Sequence, residues 1–111
     1  MRMPGADEAV VTREKITGYL LSASHPVGRH KARFFRQNGF LPDQWTVLAE
    51  ALVAHGKTNR VSNTQDSIFG TKYTVEGPLT TPGPAKPEVR TIWFVPRGES
   101  RPLLVTAYPC A

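Results

Sequence analysis

The hydrophobic spacing of this chain changes period once, after Thr58, and that change dictates the layout. Before it, apolar residues recur every three or four positions; after it they alternate, as side chains do on the two faces of a strand. Three helices are expected first. One starts at Thr12, whose hydroxyl can cap, carries Ile16, Tyr19 and Leu20 on one face, and ends at Ser22–Pro26. Gly18 weakens it. A second runs from Val27 to Gln37 and closes at Asn38-Gly39, two residues that tolerate the left-handed C-terminal turn. A third opens near Pro42–Asp43, carries Trp45, Leu48 and Leu52, and stops at His55-Gly56.

Four strands follow, over Arg60–Asp66, Phe69–Leu79, Val89–Val95 and Leu103–Tyr108. The Pro/Gly-rich TTPGPAKPE and PRGESRP separate the last three. Short turns between consecutive strands pair them antiparallel. The expected fold class is therefore α+β, three N-terminal helices followed by a four-stranded antiparallel sheet with the helices on one face. Residues 1–11 are small, polar and Pro/Gly-containing and are expected to form a flexible tail before a single domain over 12–111.

Strand parity sorts the sheet's side chains. If the more apolar set of each strand faces the helices, Leu103, Val105 and Ala107 turn inward. The open face then carries Lys72, Thr74, Glu76, Arg90, Thr106 and Tyr108. Ile92 and Phe94 fit this division badly and call for a bulge or extra cover.

Charge and composition narrow the chemistry. A net charge of +5 favours an anionic partner, and no Asp or Glu occurs between Glu14 and Asp43, the stretch that holds HPVGRHKARFF. With Cys110 as the only cysteine, an intramolecular disulfide and a thiolate metal cage are both excluded. The three histidines lack metal-ligand spacing, so neither a metal nor any other cofactor is expected. The GPLTTPGPAK segment lacks the order of a phosphate-binding loop. No apolar run approaches the length of a membrane span and no secretory signal opens the chain, which makes the cytoplasm the default compartment.

What remains is metal-free phosphodiester cleavage. It needs a base for the ribose 2′-OH, an acid for the leaving 5′-oxygen, and cations or hydroxyls around the phosphorus. His, Lys, Arg, Thr and Tyr suit those roles. Each candidate also has a plainer role: His25, before Pro26, as a turn residue or cap; Arg29, Arg33 and Arg36 as a solvated helix face; Phe34, Phe35, Trp45 and Trp93 as core.

The segments KITGYLLSASHPVGRHKARFFRQNGF, FGTKYTVEGPLTTPG, VRTIWFV and PLLVTAYP together resemble an uncharacterised family of small bacterial domains, found alone or at the C-termini of polymorphic-toxin proteins. More distantly, helices before a four-stranded antiparallel sheet are similar to the barnase–EndoU–colicin–RelE fold of metal-independent ribonucleases. That likeness implies a helical contribution from His25 and Lys31 over a sheet bearing Lys72, Arg90, Thr106 and Tyr108. The resulting expectation is a toxin-type endoribonuclease. His25 would act as general base or acid, and Lys31 and Arg90 would meet the phosphate. Thr106 and Tyr108 would donate hydrogen bonds, Lys72 would position the backbone, and Arg29, Arg33 and Arg36 would add salt-dependent affinity for RNA. Its expected partners are RNA and a cognate acidic immunity or antitoxin protein, without a membrane. The alternative is a non-enzymatic module that binds RNA or a partner protein.

Overall fold

The computed structural model describes residues 1–110. A 3₁₀ turn at Ala6–Glu8 is followed by α1 (Arg13–Lys15), which opens into a π-turn at Ile16–Leu20. Helix α2 spans Arg29–Gln37, and α3 spans Trp45–Thr58 after a 3₁₀ turn at Pro42–Gln44. Strands β1 (Val61–Ser67), β2 (Gly70–Pro78), β3 (Glu88–Pro96) and β4 (Leu103–Pro109) form one antiparallel sheet in the order β1-β2-β3-β4.

The expected set of three N-terminal helices is not what forms. Thr12 caps as its hydroxyl predicts, accepting from the Lys15 amide at 3.2 Å, but the α-helix lasts one turn. The ladder then widens, with Leu21 N–H donating to the Ile16 carbonyl at 2.7 Å. Gly18, with β-branched Ile16 and Thr17 before it, gives this stretch little helix propensity, and π-turns settle where the α-ladder is weak. Two longer helices and a series of short turns thus precede the sheet.

The segment 1–11, expected as a tail, lies against the domain. Met3 is buried, the Met1 carbonyl accepts from Val61 N–H at 2.8 Å, and Val10 makes a parallel bridge to Leu103 on the outer edge of β4. These contacts satisfy edge groups that a loose tail would leave open.

The core lies between α3 and one face of the sheet. Leu48, Leu52, Phe35, Phe40, Ile16 and Leu20 pack against Val75, Leu79, Val89, Trp93 and Ala107. Trp93 lies flat against Gly56 of α3: a Cβ there would fall 2.8 Å from its ring, so this crossing needs glycine. A buried polar chain pins helix to sheet. His55 Nε2 faces the carbonyls of Val89 and Gly77, at 2.9 and 3.1 Å, and therefore carries the proton. Its Nδ1 accepts from the Thr91 hydroxyl at 3.0 Å, and Thr91 Oγ1 accepts from Trp93 Nε1 at 2.8 Å. Burial holds the His55 imidazole below its ordinary pKa, against the two carbonyls that favour the charged ring.

A bulge falls in β4, beside the strand that carries Ile92 and Phe94. Ile92 pairs with Thr106 but Trp93 with Leu104, leaving Val105 as the extra residue. Parity therefore inverts there: Leu104 and Ala107 turn inward while Leu103 and Val105 are exposed, correcting the expected inward set Leu103, Val105 and Ala107. Thr106 and Tyr108 stay opposite Ile92 and Arg90, on the open face.

Candidate functional site

Tyr19 is carried by the π-turn, whose wide ladder places its side chain beside β4. Its hydroxyl lies 3.1 Å from Thr106 Oγ1, while its ring meets the edge of the His25 imidazole at 5.0 Å between centroids. Two ammonium groups flank it, Lys15 Nζ and Lys31 Nζ, each 5.3 Å from the ring centroid. Partial burial pushes the Tyr19 phenol up, but the hydrogen bonds and charges of Lys31, Thr106 and Lys15 outweigh it. The phenol lies below its ordinary value.

Lys31 sits in the first turn of α2 and also faces Tyr108, 6.0 Å from that ring's centroid. Arg90 stands against the same ring, with Cζ 5.5 Å from the centroid and Nη1 donating to the Tyr108 hydroxyl at 3.5 Å. The β2–β3 register sets Glu76 opposite Arg90, and the guanidinium donates to Glu76 Oε2 from Nε at 2.8 Å and from Nη2 at 2.5 Å. Arg90 holds the Glu76 carboxyl below the usual carboxylate range. Tyr108 and Glu76 in turn hold the guanidinium above its ordinary value. Cys110 Sγ lies 3.9 Å from Glu76 Oε2, and burial followed by that carboxylate pushes its thiol up.

Five of the residues singled out in the sequence thus meet in one continuous cluster: His25, Lys31, Arg90, Thr106 and Tyr108. The remaining four lie elsewhere. Lys72 lines the same open face, two strand positions from Thr74 and four from Glu76. Arg29 and Arg33 are exposed on the outer side of α2. Arg36 is tied back to the chain, its Nη2 donating to the Leu21 carbonyl at 3.0 Å.

His25 holds the turn that leads into α2. Nδ1 accepts from the amides of Val27 and Gly28, at 3.1 and 2.9 Å, and so caps the entrance to α2. Its ring also packs edge-on against that of Tyr19.

Two members of the cluster escaped the sequence reading of function. Tyr19 was grouped with Ile16 and Leu20 as an apolar stripe, yet Gly18 beside it signals the irregular turn that frees it. Glu76 was placed on the open face without a role; counting outward along the β2–β3 hairpin sets it opposite Arg90, and that opposition was the available signal.

The chain matches the family model of a domain of unknown function, DUF6883, over residues 2–111. It belongs to that family. No curated protein matches the chain. Among solved structures, this DUF6883 domain is similar to a chain of a contact-dependent growth inhibition toxin–immunity protein complex from Klebsiella pneumoniae 342. The TM-score is 0.73 at 18% identity, over 96% of this chain and 97% of that one. At that identity the likeness is one of fold. No helix among the described residues is long and apolar enough to cross a membrane.

Proposed function

We propose that this DUF6883 domain is a toxin-type endoribonuclease that cleaves RNA without a metal ion. The observation that carries the reading is the placement of Lys31 and Arg90 about one aromatic ring, Tyr108, with Thr106 and Tyr19 beside them. Two cations and three hydroxyls around one spot match the charge of a phosphoryl group passing through five-coordination. The growth-inhibition toxin–immunity complex among its structural neighbours supports a toxin-related reading.

In this scheme Glu76, kept ionised by Arg90, takes the ribose 2′-OH proton. O2′ bonds to phosphorus as the P–O5′ bond breaks, leaving a 2′,3′-cyclic phosphate. The Tyr19 phenol gives its proton to the departing O5′. Lys31 and Arg90 neutralise the non-bridging oxygens, and Thr106 and Tyr108 donate to them. Lys72 meets a neighbouring phosphate along the sheet, and Arg29 and Arg33 add affinity that falls with salt. His25 positions Tyr19. A toxin of this kind acts on RNA in the cytoplasm of the cell it enters.

The test is incubation of the purified protein with transfer RNA and total RNA in EDTA. Cleavage is expected, reduced about a hundredfold or more in Lys31→Ala and Arg90→Ala. No cleavage, or cleavage unchanged in both variants, overturns the proposal.

One observation favours a second reading, a non-enzymatic module that docks a partner protein. The β1–β2 turn presents Ile68 and Phe69, 79% and 74% exposed, at one end of the sheet. Large apolar side chains so exposed are typical of contact surfaces. An acidic partner would then cover Arg90 and Lys72. Capture of a single protein partner, with no turnover of RNA, would favour this reading.

A further inference from the structure

The cluster occupies only one end of the sheet's open face. Beside it, between β1 and β3, runs a groove of about 380 Å³ whose β1 wall the scheme above leaves unused. Its walls include Asn63, Gln65, Lys72 and Thr74, and at the cluster end Glu76, Arg90 and Tyr108. The register explains why. Asn63 lies opposite Thr74 and Gln65 opposite Lys72, and directly paired residues of an antiparallel ladder share a face.

The two faces of β1 differ in how its side chains are employed. On the far face Asp66 is engaged, accepting from the Thr71 hydroxyl at 2.9 Å and pairing with Arg97 at 3.4 Å. On the groove face neither the Asn63 nor the Gln65 amide makes a hydrogen bond among the described residues, although both are exposed. Each offers two N–H donors and a carbonyl acceptor. Half-buried Ile92 supplies an apolar surface in the same groove. Paired donor and acceptor groups over an apolar surface, next to two cations, match the edge and face of a nucleobase attached to a phosphate.

We propose that this groove binds one unpaired base of the RNA adjoining the phosphate held by Lys31 and Arg90, and that Asn63 and Gln65 read its edge. Adenine is the favoured base, because an amide pairs with its N6–H and N7 through two hydrogen bonds at once. The volume falls at the small-ligand end of protein sites, suited to a single base rather than to a folded partner. The inference rests on the ribonuclease reading for the identity of the neighbouring phosphate, and its test separates the two.

Labelled 2′-O-methyl pentanucleotides of A, C and U, which resist cleavage through the 2′-oxygen, are titrated into wild type, Asn63→Ala and Gln65→Ala. A pool of random RNA is cleaved in parallel and its ends are sequenced. The expected result is tighter binding of the A oligonucleotide and enrichment of A on one side of the cut, with both preferences falling about tenfold in each variant. Cleavage whose base preference is the same in wild type and both variants overturns the groove assignment and leaves the ribonuclease standing. Base-selective binding that the variants abolish, without any cleavage, does the reverse. Equal binding of all three oligonucleotides by wild type overturns the groove assignment whatever the cleavage result.

Discussion

The Tyr19 hydroxyl meets Thr106 Oγ1 at 3.1 Å across 87 positions of sequence, joining the irregular turn before α2 to the edge strand of the sheet. Through that contact the helical half and the sheet half of the candidate site become one surface. Lys31 reaches it from α2, and Arg90 from β3.

Removing only the Tyr19 oxygen should therefore separate chemistry from packing. Tyr19→Phe keeps the ring against His25 and Lys31, so the melting temperature should stay within a few degrees while RNA cleavage falls at least tenfold. Gly28→Ala should mimic the loss, because its Cβ would collide with the Tyr19 carbonyl and lie 2.8 Å from the ring's Cδ1. Melting curves and initial rates on one RNA check both. Full activity in Tyr19→Phe would remove the phenol from the scheme.

Glu76 has a test in pH. Its carboxyl is held low by Arg90, so it stays ionised as pH falls past the ordinary carboxylate value of 4.5. Cleavage should persist into that range and disappear only when Glu76 is protonated; Glu76→Gln should be inactive at every pH, and Glu76→Asp should recover part of the rate. The pair is solvent-exposed enough that its contribution to stability is small. What stability it adds is present above the unfolded-state value and is lost as pH falls through the folded one. A pH–rate profile with the same acid limb in Glu76→Gln would assign that limb to another group.

His25 is expected to behave as a cap. His25→Asn supplies an oxygen to the amides of Val27 and Gly28 and should retain the fold and most of the cleavage rate. His25→Ala should lose about 1 kcal/mol of stability and displace Tyr19, lowering the rate with it. If Asn fails as completely as Ala while melting like wild type, His25 takes part in the chemistry after all.

His55 makes the fold sensitive to acid. Its folded pKa lies below the ordinary 6.5, so the unfolded chain takes up this proton first. The stability it contributes is complete above about 6.5, the unfolded-state value, and declines as pH falls toward the lower folded value. Urea melts at pH 8, 6 and 5 should show that decline. His55→Gln should lower stability at pH 8 by roughly 1–3 kcal/mol, since it disturbs the bonds to Thr91, Val89 and Gly77, and should flatten the slope. An unchanged slope would place the titration elsewhere.

The change of period after Thr58 was enough to separate the helical half from the four strands, because alternation of apolar residues follows directly from the pleat. Helix irregularity was harder to read. Gly18 marks a weak point, but whether a ladder breaks, frays or widens there depends on what Tyr19 and Leu20 pack against. The misfit of Ile92 and Phe94 left a bulge and extra cover both open; the bulge lies on the neighbouring strand at Val105, where one added residue leaves no local composition signal. Charged and hydroxyl residues mid-strand pointed to Arg90, Thr106 and Tyr108 because side chains that belong in water stand out against an alternating apolar background. Tyr19 is amphipathic and looked like core. Arg36 looked like its neighbours Arg29 and Arg33, and only the path of the chain past Leu21 sets it apart.

The central claim is that the cluster on the open face cuts RNA through the ribose 2′-oxygen. The most direct measurement places one RNA oligonucleotide containing a mapped cleavage site beside the same oligonucleotide with a single 2′-deoxy substitution 5′ to that cut, both with wild-type protein in EDTA. The all-ribose strand should be cut to a 2′,3′-cyclic phosphate end and the deoxy strand should survive. Cutting of both strands, or of neither, would contradict it.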